Sequence, residues 1–301
     1  MNPSPTTVTR RCFLAGRECT LFRMPGNDCS TGEQIGQILL RLHYRDLARR
    51  PNALPDFRDV EFRCYSQNGE DGILLYLFSV LGTTNRKVIE ICAGDGIECN
   101  AANLIVNHGW HGLLMDGSAD HVAQGTQSYA TGKNTWLAPP KFVHAWVTAD
   151  NVNSLVEDHG FAGEIDLLSL DMDGNDYWIL NSLLDCIQPR VVVLEFNPHC
   201  GPDRSLTISY QPDFRLDFSV QPYRCGASLS AFVKLGQRKG YRLVGVQSLG
   251  FNAFFVRHGL GEQLVPTRSA RDCFERNERL QAWSPAWLDA MFSGNQSWQE
   301  V

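Results

Sequence analysis

No stretch of this chain approaches the roughly 20 consecutive apolar residues that cross a bilayer, so no membrane partner is expected. Nor is there a stripe of Lys and Arg. With 27 basic against 33 acidic residues the net charge is −6, the wrong sign for gripping a phosphate backbone, and nucleic acid is not an expected partner. The ten cysteines include no C-x-x-C pair, and Cys12, Cys19 and Cys29 are too irregular for a zinc ribbon. A chain this long does not need a disulfide scaffold, so reduced and mostly buried thiols are expected. Behind Arg10 and Arg11 stands only Cys12-Phe-Leu-Ala, too short for a signal-peptide core, and a cytoplasmic location follows as the expectation.

What is present is ordinary for a globular protein: 43% hydrophobic and 20% charged residues over 301, enough for one large α/β domain with embellishments. Ile35, Ile38, Leu39 and Leu42 recur at helical spacing, so residues 1–60 read as an extension with an amphipathic helix. That helix should pack on the main domain or on a second subunit. Strands are expected at Val88–Ile91, Gly112–Met115, Phe142–Val147, Ile165–Leu170 and Val191–Phe196, with helices between them. This alternation predicts a doubly wound parallel sheet over residues 61–258. A helix ending at Gly240 and a hairpin, Tyr241–Gln247 with Ala253–Arg257, close that domain; residues 259–301 read as a helical appendage.

The stretch "VIEICAGDGIECN" is a strand running into a glycine turn. A Walker loop is excluded, because no G-x-x-x-x-G-K-[ST] string occurs. A dinucleotide fold wants G-x-G-x-x-G, but Cys99 stands at the third position and Asp95 would repel a pyrophosphate. A ligand with a cationic centre fits better. S-adenosylmethionine has one, and its ribose needs an acidic partner at the end of the next strand. Asp116, twenty residues after Gly96, is placed for it.

Here the sequence resembles class I S-adenosylmethionine-dependent methyltransferases of the FkbM-type group. The matching pieces are "YSQNGEDGI" from Tyr65, "VIEICAGDGIECNAANLIVNHGWHGLLMDGS", "IDLLSLDMDGNDYWIL", "VVVLEFNP" and "GYRLVGVQSLGFNAFFVR". The resemblance implies a seven-stranded sheet of order 3-2-1-4-5-7-6 with the seventh strand antiparallel. It places the cofactor at the carboxyl ends of the first three strands. Cofactor contacts are then expected from Glu90, Gly94, Asp95, Gly96, Asp116, Gly117 and Ser118. Gln67 or Glu70 should reach the methionine end, and Thr148, Ala149 and Asp150 should edge the adenine. Many relatives have glycine at the Cys92 position, where this side chain is expected to point away. Ser66 is expected to cap the apolar helix that carries Ile73-Leu-Leu-Tyr-Leu-Phe, with Glu70 and Asp71 in its first turns.

Asp171, Asp173, Glu195 and Asn197 fall at the ends of the fourth and fifth strands, where neighbouring carboxylates would repel unless a divalent cation such as Mg²⁺ joined them. The resemblance to caffeoyl-CoA-type O-methyltransferases points the same way. Without a metal, His199 or Asp171 would serve as general base. In the long loop after Asn197, Tyr210, Phe214, Phe218 and Tyr223 could cover an acceptor, and Arg204 could neutralise an anion on it. Trp136, Trp146 and Trp178 read as core or rim packing. The expected activity is methyl transfer to a small-molecule acceptor, an oxygen of a sugar-containing or natural-product compound. The competing readings are a non-catalytic binding or regulatory protein on this fold and an NAD-dependent oxidoreductase.

Overall fold

The alternation in Lys87-Val-Ile-Glu-Ile decides which side chain meets which helical layer. Val88 turns to one face of the sheet and Ile89 and Ile91 to the other, all of them buried. The structure, a computed structural model, describes residues 9–14, 17–22, 31–50, 54–217, 219, 224–282 and 298–301. Phe218 and Tyr223 lie outside the described residues.

Seven strands form the central sheet: β1 Lys87–Ile91, β2 His111–Asp116, β3 Lys141–His144, β4 Gly163–Leu170, β5 Ile187–Glu195, β6 Tyr241–Val246 and β7 Asn252–Arg257. Their order is 3-2-1-4-5-7-6. Strands β1 to β5 pair in parallel, whereas β7 runs antiparallel to both β5 and β6. The expected sheet is therefore present, with its one reversed strand. Between β1 and β4 the order changes direction, and such a point opens a crevice beyond the strand ends.

Helices cover both faces. Described in chain order are α1 Thr31–Leu47, α2 Phe57–Val60, α3 Glu70–Leu81, α4 Ala102–His108, α5 Ala119–Thr131, α6 Val152–Asp158, α7 Asp176–Cys186, α8 Leu229–Lys239, α9 Ala270–Glu275 and α10 Glu278–Gln281. One core joins Ile89, Leu113, Leu168 and Val192 to α6, α7 and α8. The other joins Val88, Leu114, Leu167 and Val193 to α3 and α4. Burial on both faces explains why β4 and β5 read as continuous apolar runs.

The amphipathic helix is α1, but its apolar stripe does not pack on the domain. Ile35 is 52% exposed and Leu39 61%, while the opposite side buries Gln37 and Tyr44. Polar partners decide this orientation: Gln37 exchanges hydrogen bonds with Asn103 at 3.1 and 3.0 Å and meets His108 Nε2 at 2.7 Å. After β5 the long insertion makes a short turn, Pro198–Cys200, and a strand, Leu206–Ile208, that pairs with Trp298–Glu300.

Candidate active site

The glycine turn after β1 is built from left-handed backbone. Cys92, Gly94 and Gly96 have φ of 62°, 59° and 70°, a conformation that costs a side-chain-bearing residue about 1–2 kcal/mol. Gly94 donates its N–H to Asp116 Oδ2 at 2.8 Å, and Ser118 N–H donates to Asp116 Oδ1 at 2.8 Å, so one carboxylate ties the tips of β1 and β2. His121 Nδ1 stands 3.3 Å from the same oxygen. Asp95 folds onto its own turn, accepting from Ile97 N–H at 3.0 Å. At Gly96 a Cβ would sit 2.7 Å from the Phe142 ring, so packing as well as φ requires glycine there.

Cys92 does not point away, as the sequence suggested. It lines a slot of about 70 Å³ bounded by Asp116 and Gly117 after β2, Trp146 after β3, Met172 after β4, and Pro212 and Phe214 from the insertion. Trp146, 44% exposed, is thus a wall of this slot as well as rim packing. Trp178 instead donates its indole N–H to Ile208 O at 2.9 Å.

Several expected cofactor contacts have other partners. Glu90 shares its face with Val88 and so meets the start of α4. Its carboxylate accepts from Asn100 N–H at 2.9 Å, Ala101 N–H at 2.6 Å and Ser169 Oγ at 3.1 Å. Glu70 is fully buried, accepting from Asn68 N–H at 3.0 Å and Asn252 Nδ2 at 2.8 Å. Both carboxylates therefore hold the scaffold through these bonds. Gln67 is exposed just before α3. Ser66 does not sit at the helix start: Gly69 is the N-cap, and Ser66 Oγ accepts from Asp71 N–H at 3.2 Å. Asp71 returns the favour, its Oδ2 accepting from Cys64, Tyr65 and Ser66 N–H at 2.6–2.9 Å. Beyond β3, Thr148 N–H donates to Asn151, Ala149 N–H donates to Tyr210 Oη at 3.0 Å, and Asp150 is exposed.

At the tips of β4 and β5, Asp171, Asp173 and Glu195 present carboxylate oxygens within 4.8 Å of one another. Burial raises the Asp171 pKa to about 8, helped by Asp173 and Asp176; burial and then Asp171 raise Glu195 well above the usual range. Such a pair retains a proton near neutrality and titrates as a unit. Carboxylate oxygens this close can share one hard cation, which takes oxygen ligands at about 2.3–2.6 Å. Asn197, expected as a metal ligand beside Asp171 and Glu195, is engaged otherwise. Its Oδ1 accepts from His199 N–H at 3.0 Å and its Nδ2 donates to Cys225 O at 3.0 Å, closing the insertion on itself. His199 is half-buried and its pKa falls to about 4, so the neutral imidazole is a far weaker base than the sequence suggested.

Two contributors escaped the sequence reading. Asp176 accepts from Met172 and Gly174 N–H at 2.8 and 2.9 Å, shaping the turn that carries Asp171 and Asp173; its place at the first position of α7 was the available signal. Gly174 lets Phe214 approach, since a Cβ there would lie 2.2 Å from the ring. No pattern in the sequence marks that contact.

No family model matches the chain, and no curated protein matches it. Among solved structures it is similar to an S-adenosylmethionine-dependent methyltransferase from Clostridium acetobutylicum ATCC 824, at 9% identity and a TM-score of 0.42, over 74% of this chain and 99% of the other. It is also similar to a magnesium protoporphyrin IX methyltransferase from Synechocystis PCC 6803 with bound SAM (11%, TM-score 0.40, 77% and 100%). A glycopeptide N-methyltransferase complexed with S-adenosyl-L-homocysteine gives 12%, a TM-score of 0.36, and coverage of 57% and 82%.

Proposed function

We propose that the chain is an S-adenosylmethionine-dependent methyltransferase of the FkbM-type group, acting on an oxygen of a small sugar-containing or natural-product acceptor. The observation that carries this is the meeting of Gly94 and Asp116 at the tips of adjacent strands, beside the point where strand order reverses. Asp116 retains lone pairs beyond those used by Gly94 and Ser118, and they suit two vicinal hydroxyls. The acidic character of the turn and its surroundings suits a cation and disfavours a pyrophosphate.

When bound, the cofactor supplies an electrophilic methyl group on a positively charged sulfur. Asp116 would hold its ribose, and Gly94 and Gly96 would allow close approach of the backbone. Asp171, Asp173 and Glu195 would hold a divalent cation, Mg²⁺ or Ca²⁺, whose contribution would be to lower the pKa of an acceptor hydroxyl. In the metal-free alternative Asp171, its pKa raised by burial to about 8, is a better candidate than His199 to take the hydroxyl proton. Calorimetric titration with S-adenosylhomocysteine tests the cofactor assignment. The expected result is binding that weakens at least about tenfold in Asp116→Ala, equivalent to 1.4 kcal/mol. Equal affinity in the variant would remove Asp116 from the site, and stronger binding of NAD would replace the reading with an oxidoreductase.

A further inference from the structure

The insertion after β5 lies across the place where the proposed nucleoside belongs. Pro212 and Phe214 fill the crevice beyond β2, β3 and β4, and what remains open is about 70 Å³. That holds a few waters at most, whereas a small-molecule pocket runs to about 300–1,000 Å³. The segment is seated by its own bonds. Trp146 Nε1 donates to Pro212 O at 2.7 Å, Asn175 Nδ2 donates to Gln211 O at 2.7 Å, and Ala149 N–H donates to Tyr210 Oη at 3.0 Å. The Arg215 guanidinium stacks 4.6 Å from the centre of the Trp146 ring. Gly174 leaves room for the Phe214 ring where any Cβ would collide with it.

We propose that Tyr210–Arg215 is a plug: Phe214 stands in the nucleobase's place until the cofactor displaces it. The inference rests on the cofactor reading above. Its anchor is the strand Leu206–Ile208, fixed by pairing with Trp298–Glu300 and by the Trp178 bond to Ile208 O. Beyond that anchor, Gln211, Pro212, Asp213 and Arg215 are exposed, and a few polar bonds to the rim hold the segment down. Segments held so lightly open below the global unfolding free energy. The plug therefore lowers apparent affinity by the fraction of molecules that are open. It also explains why Ala149, expected to edge the adenine, is bonded to Tyr210.

The test titrates S-adenosylhomocysteine into the full chain, Phe214→Ala and Tyr210→Phe, with hydrogen–deuterium exchange followed over residues 209–217. Far-UV circular dichroism verifies that each variant is folded. Phe214→Ala should bind about tenfold tighter, Tyr210→Phe should shift the same way by less, and the ligand should speed exchange in the wild-type segment. Binding by Phe214→Ala alone would support the plug as well. Equal or weaker binding by Phe214→Ala, with unchanged exchange in wild type, would make Phe214 a fixed wall and overturn the proposal. If all three folded proteins fail to bind, the cofactor reading itself falls and the plug with it.

Discussion

At the residue scale, carboxylates divide by what they accept. Asp116 ties two strand tips, Glu90 holds the entry to α4, and Asp71 gathers three N–H groups ahead of α3. Asp71 is fully buried, and burial outweighs those bonds, raising its pKa from 3.8 to about 6. The consequence for stability has a definite sign. Between pH 3.8 and about 6 the folded chain keeps a proton that the unfolded chain has lost, so stability falls as pH rises through that window. The loss attributable to this group reaches roughly 3 kcal/mol by pH 7. Urea denaturation of wild type and Asp71→Asn across this range measures it, and the variant should have the flatter profile. An identical slope in the variant would assign the pH dependence to another group. Cys92 shows the limit of reading single residues: its identity was plain, but its left-handed φ and its place in the slot were not.

At the element scale, the sheet is tied firmly at its amino end. Asp166, on β4 and fully buried, accepts from the N–H groups of Thr84, Asn85 and Arg86 at 2.5–3.0 Å and pairs with Arg190 at 3.5 Å. It thereby sets how the chain enters β1. Asp166→Ala would leave those donors without their acceptor and the Arg190 guanidinium without its counter-charge, costing about 3–5 kcal/mol. A melting curve shifted by less than a few degrees would show that water replaces the carboxylate. The strands and helices of the domain were legible from periodicity, because burial on one or both faces imposes it. Helix orientation was less so. In α1 the apolar spacing was correct, yet hydrogen bonds of Gln37 to Asn103 and His108 turn that stripe outward.

At the scale of the whole molecule, the ends of two neighbouring strands bring Asp171, Asp173 and Glu195 together at the carboxyl edge of the sheet. A cation would displace the proton held by Asp171 and Glu195, so its apparent affinity should rise as pH increases through about 8, the Asp171 value. Saturating Ca²⁺ or Mg²⁺, at about 100 times its Kd, should stabilise the fold by about 2.7 kcal/mol. Asp173→Asn should largely abolish that gain. Thermal melts with each ion, repeated after chelation, measure this. Unchanged melting in both proteins would leave the carboxylates as a proton-holding group.

The sequence by itself determined the order and type of the sheet elements, the reversed last strand through its resemblance, and the acidic residues at the strand ends. Periodicity and local spacing encode these, since each depends on neighbours close along the chain. Only the tertiary structure decided which carboxylates bind backbone, that Asn197 closes its own loop, and that Phe214 fills the slot against Gly174. The Asn197 bond to Cys225 and the approach of Phe214 to Gly174 join residues tens of positions apart, and even for nearer partners burial and hydrogen-bond competition choose one among several, a choice no local pattern records.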